Sequence, residues 1–157
     1  MNAAMPAVLR LTVGATATTL VLDAPPSAPL HWDWPLGHAT LWPTRPGGPS
    51  PVMIENAIQG VEDQIEAVAR QVPAGARLVA SAAPLVPLRR EGAIAGLQQG
   101  AIALAQIEGE YQSLAARAMG APSARARAFD DPAGDALVLI LRECLHHLGL
   151  DAVHLRD

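Results

Sequence analysis

Lysine is absent from this chain: all 11 basic side chains are arginines, dispersed along the sequence around a net charge of −4. A nucleic-acid or anionic-membrane surface needs a basic stripe, and none is present. The only adjacent basic pair, Arg89-Arg90, is followed at once by Glu91. The single cysteine, Cys144, excludes an internal disulfide and any multi-cysteine zinc knuckle. The longest uncharged helical run, Gly92–Ile107, is too short to span a bilayer and contains Gln98, Gln99 and Gln106. Met1–Leu11 shows no basic leader, apolar core and cleavage site, so the cytoplasm is the expected location, with no nucleic-acid or membrane partner.

What is present is a chain of 157 residues, 50% hydrophobic and 17% charged, which suits one folded domain and argues against disorder. Residues 1–24 are expected to form a β-hairpin. Leu9, Leu11 and Val13 alternate with Arg10 and Thr12, Gly14–Ala17 suits a turn, and Thr18–Leu22 is rich in β-branched and aliphatic residues. Residues 25–50 hold seven of the 14 prolines, from Pro25 to Pro49, and read as an irregular flap with one short strand at Ala39–Trp42.

A first helix is expected over 51–72. Ser50 can cap it, Pro51 suits its first turn, and Ile54, Ile58, Val61, Ile65, Val68 and Val72 form one apolar seam. Pro73-Ala74-Gly75 ends it before a buried strand over 77–82. A second helix is expected over 92–119, with Gly92, Gly96, Gly100 and Ala103 on a face able to approach another backbone closely. The third helix, 132–148, begins at Asp131-Pro132 and carries Leu137, Leu141, Cys144 and Leu148. Gly149 fits its left-handed stop, and a last strand is expected over 151–156. The fold class is therefore α+β or α/β, a single domain with a mixed sheet of roughly 3–5 strands, an N-terminal hairpin and three packed helices.

This order resembles the nuclease-type arrangement of a three-strand meander followed by alternating helices and strands. That fold's chemistry needs a carboxylate in the first strand. Val8–Val13 has none, so no family is assigned.

Chemistry is most concentrated in the flap. His31-Trp32-Asp33-Trp34, His38 and Trp42 hold every tryptophan of a chain with one Phe and one Tyr. Tryptophan is common in interfaces and pockets, but these rings also suit a lid over the sheet. Three readings stay open: a structural lid, a partner or self-association surface, and a small-molecule pocket. Arg45, Gly47 and Gly48 lead into the first helix, where glycine amides, a helix start and a guanidinium suit an anion. A plain turn and helix cap explains the same residues, and the lysine of a P-loop is missing.

Glu143 and His146 stand three apart on the third helix, beside Cys144 and His147. Carboxylate-bundle metal sites need two such pairs, so no metal and no cofactor are expected. Cys144, on the apolar stripe near a helix C-terminus, is a poor nucleophile. Nothing in the motifs decides whether the chain is an enzyme. The first expectation is a non-catalytic accessory or assembly protein, a homodimer. The alternative is a small enzyme or ligand-binding protein with an anion or small-molecule site between the flap and the start of the first helix. Its ligand-binding or partner-binding residues would be His31, Trp32, Asp33, Trp34, His38, Trp42, Arg45, Gly47 and Gly48.

Overall fold

In the computed structural model, which describes residues 5–81, 100–121 and 132–156, the N-terminal strands form a meander. β1 (Val8–Val13) pairs antiparallel with β2 (Thr18–Asp23), and β2 pairs antiparallel with β3 (Leu30–Trp34). Alternation sets the facing: Leu9, Leu11, Val13, Leu20 and Leu22 are buried, while Thr12 on the other face is exposed. The Gly14 N–H closes the first turn on the Ala17 carbonyl at 2.8 Å.

α1 (Pro51–Ala69) then crosses to β4 (Arg77–Ser81), which lies parallel to β1 with Leu9 opposite Leu78. As expected, Ser50 Oγ accepts the Met53 N–H at 3.3 Å. Ile54, Ala57, Val61, Ile65 and Val68 form the buried face. The helix stops at Ala69, so Val72 lies beyond it. β5 (Ala101–Ala103) leads directly into α2 (Leu104–Ala118), and α3 (Pro132–Leu148) leads to β6 (Ala152–Arg156). The strand order is β3-β2-β1-β4-β6-β5, with β6 parallel to β4 and β5 antiparallel to β6.

The sheet is mixed, as expected, but it has six strands. Both additional strands come from segments read otherwise. Ala39–Trp42 forms turns, and the flap's strand is Leu30–Trp34 instead. Gly100 takes φ +77°, which ends any continuous helix over 92–119 and lets Ala101–Ala103 pair with β6. Residues 92–99 lie outside the described residues, and with them Gly92 and Gly96. A Cβ on Gly100 would meet open space, so the expected close backbone approach is not made there.

α3 lies between α1 and α2. Every residue from Gly134 to Leu141 is buried, as are Glu143, Cys144 and Leu145. The ordinary ending follows at Gly149, φ +64°, with the Leu150 N–H on the Leu145 carbonyl at 2.9 Å. α1 feeds β4 and α3 feeds β6, and both strands run parallel to β1. The N-termini of α1 and α3 therefore meet at the carboxyl end of three parallel strands. In open sheets with helical crossovers this end is where ligands bind.

Candidate functional site

A cleft of about 460 Å³ opens at that carboxyl end. His38, Trp42, Arg45, Gly47 and Gly48 form one wall, and Ala133 and Asp135 in the first turn of α3 form the other. The volume is within the range of small-molecule sites.

The flap wall is fastened to the first hairpin. The His38 N–H donates to the Gly14 carbonyl at 3.0 Å, and the Ala39 N–H donates to the Ala15 carbonyl at 2.8 Å. Thr18 Oγ1 donates to the Leu36 carbonyl at 2.9 Å, and the Gly37 N–H donates to Thr40 Oγ1 at 3.0 Å. Gly37 is required here, because a Cβ would collide with the Gly14 and Ala15 carbonyls. Further along, Gly47 and Gly48 take φ +81° and +80°, a backbone turn that only glycine adopts without strain. The Gly48 N–H reaches back to the Arg45 carbonyl at 3.3 Å, leaving the Arg45 side chain exposed on the rim.

Across the cleft, Asp135 accepts from Arg117 Nη2 at 2.8 Å, with only 8% of its side chain exposed. This carboxylate is held by a cation and sits where a helix start favours negative charge. Arg117 Nη1 is buried and has no hydrogen-bond partner among the described residues.

The structure thus gathers His38, Trp42, Arg45, Gly47 and Gly48 around one cavity, and it separates His31, Trp32, Asp33 and Trp34 from them. Those four are β3 itself. Trp34 is a core residue, 2% exposed, Trp32 packs partly against the core, and His31 and Asp33 are exposed. Asp33 accepts from Thr19 Oγ1 on the neighbouring strand at 3.1 Å. Asp135 and Arg117 were missed in the sequence because only the tertiary fold brings α2 and the start of α3 to the flap. Cys144 is fully buried and desolvation pushes its thiol up to about 12, so it is no nucleophile.

No family model matches the sequence, and neither does any curated protein. Solved structures do match. An Aquifex aeolicus PPX-GPPA enzyme superimposes with a TM-score of 0.71 at 16% identity, over 96% of this chain and 53% of that one. An exopolyphosphatase-like protein gives 0.63 at 14% identity, over 100% and 57%. An exopolyphosphatase from Cytophaga hutchinsonii gives 0.60 at 12%, over 97% and 53%. The chain spans about half the length of these proteins and shares the fold of that half. This finding overturns the expectation of a non-catalytic accessory or assembly protein, since the structures that share the fold include a PPX-GPPA enzyme and an exopolyphosphatase. It favours the alternative of a small enzyme or ligand-binding protein. No described helix is long and apolar enough to cross a membrane.

Proposed function

We propose that this chain is a ligand-binding enzyme domain of the Ppx/GppA fold, and that its cleft takes a molecule carrying a phosphoanhydride. The observation that supports this most is the convergence of two helix N-termini on the cleft occupied by Arg45 and the Gly47-Gly48 turn. The positive ends of two helix dipoles, glycine backbone open to close approach and one exposed guanidinium are together suited to phosphoryl oxygens. Trp42 supplies an apolar wall for the rest of the ligand. Asp135, held by Arg117, shapes the far wall. His38 is the cleft group that would take a proton from an attacking water, if the domain hydrolyses what it binds.

Tripolyphosphate is the direct probe, with sulfate as the control anion. Saturable quenching of Trp42 fluorescence by tripolyphosphate is expected, absent in Trp42→Phe. Arg45→Ala is expected to weaken binding by roughly tenfold or more, the value of one charged hydrogen bond. Phosphate release tests hydrolysis, with His38→Ala as the slowed variant. Equal affinity in the parent and Arg45→Ala, or no preference for tripolyphosphate over sulfate, rejects the reading.

A further inference from the structure

Near the opposite end of α3 from the cleft, three side chains converge that the phosphoanhydride reading does not use. His147 Nε2 lies 3.2 Å from Glu62 Oε1 on α1 and 3.3 Å from Glu143 Oε2 on α3. The three ligand atoms all lie within 4.8 Å of one another. We propose that Glu62, Glu143 and His147 form a site for a divalent transition-metal ion of the zinc class, clamping α1 to α3.

Geometry is the first support. Around a tetrahedral ion with bonds of about 2.0–2.1 Å, neighbouring ligand atoms stand roughly 3.3–3.4 Å apart. The two histidine-to-carboxylate separations already have that length. The two carboxylates, from different helices, lie within 4.8 Å of each other and close the third edge by approaching as the ion binds.

Hydrogen-bond capacity is the second. One imidazole nitrogen faces two carboxylate oxygens and has at most one proton to offer them. A metal ion satisfies all three atoms at once, because it accepts a lone pair from each.

The surroundings are the third. Arg142 Nη1 bonds Glu143 Oε1 at 2.6 Å, which leaves Oε2 turned toward His147. Arg142 is itself fixed by Glu108, through Nε to Oε2 at 2.8 Å, and by stacking 3.9 Å over the Tyr111 ring. Such outer partners orient metal-binding carboxylates. Glu143 is 3% exposed as a side chain, whereas Glu62 and His147 are 36% and 39% exposed. The site is therefore anchored on the core and open to solvent for entry and for a water in the fourth position. Two carboxylates and one imidazole suit zinc, iron or manganese more than magnesium or a thiophilic ion.

The ligand set departs from the spacing-based pair of Glu143 with His146. His146 turns instead to Glu108, at 3.0 Å. Glu143 and His147, four apart, share a helix face.

The test is Co²⁺ titration of full-length, untagged, chelator-treated protein, followed by its visible d–d absorption. One Co²⁺ per chain is expected, with the intense spectrum of a four-coordinate site, displaced by Zn²⁺. His147→Ala and Glu62→Gln, both at accessible positions, should weaken Co²⁺ binding by at least roughly tenfold to a hundredfold. His146→Ala should bind as the parent does. Zn²⁺ should raise the Tm of the parent and not that of His147→Ala. Absence of stoichiometric Co²⁺ binding overturns the proposal, as does unchanged affinity in His147→Ala or a loss confined to His146→Ala. Tripolyphosphate binding is read separately, so failure of either site leaves the other to stand on its own result.

Discussion

Arg117, in the last turn of α2, holds Asp135, in the first turn of α3, across 2.8 Å, with 19% and 8% of the two side chains exposed. The pair ties one wall of the cleft to the helix layer. Removing the guanidinium takes the charged partner from a carboxylate that is shielded from water. Arg117→Ala is therefore expected to cost about 3 kcal/mol. Asp135→Asn, which keeps an acceptor for Arg117, should cost clearly less. Urea unfolding of the two variants checks the order, and a larger loss in Asp135→Asn would contradict it.

The tryptophans divide between core and cleft. Trp34 is 2% exposed, so Trp34→Ala should cost about 3–5 kcal/mol through lost burial and a residual cavity. Trp42, half-buried at the cleft, should cost less on truncation while reducing tripolyphosphate affinity. Thermal unfolding and ligand titration on both variants separate the roles. Equal destabilisation with unchanged binding would refute the division.

Gly37 holds the flap against the hairpin without a side chain. Gly37→Ala forces its Cβ into the Gly14 and Ala15 carbonyls and must displace the His38 and Ala39 hydrogen bonds. Faster amide exchange at His38 and Ala39, with weaker tripolyphosphate binding, is the expected result. Exchange identical to the parent would show that the flap tolerates the methyl group.

Acid stability should depend on Glu108. The hydrogen bond from Arg142, opposed by desolvation and aided by His146, lowers its carboxyl from 4.5 to about 2. A carboxyl depressed in the folded state contributes its full stabilisation above the unfolded value near 4.5. That contribution is lost as pH falls toward 2. Glu108→Gln should flatten the stability profile between about pH 5 and pH 2. Chemical denaturation across that range measures it, and parallel profiles for variant and parent would argue against the Arg142–Glu108 contact.

Cys144 is 0% exposed and its thiol is raised to about 12 by burial. It should resist a thiol reagent in the native protein and react fully once unfolded. Fast labelling in native buffer would show that α3 opens readily.

Much of this fold can be read along the chain because its elements carry local signals. Ser50-Pro51 and the seam from Ile54 to Val68 mark α1, and alternation at Leu9, Leu11 and Val13 marks β1. β3 was hidden by its flanking prolines. Even so, His31 and Asp33 alternating with Trp32 and Trp34 is a period of two, and that signal was there to find. The second helix was drawn too long because Gly100, within an alanine-rich run, does not announce a positive φ. At the cleft, the flap residues stood out as polar and glycine positions in irregular chain. Asp135 joins them only by packing, and Glu62 meets His147 across 85 positions of sequence, which no local pattern can encode.

Of the two outer strands among the described residues, β5 has only three residues, while β3 has five, as many as β4 and β6. Pro29 and Pro35 bracket β3, and each lacks the N–H that a further ladder would need. His31 and Asp33 add polar side chains to the same margin. A rim built this way resists recruiting a stray strand from another copy, so the sheet is guarded against edge-to-edge aggregation while it folds.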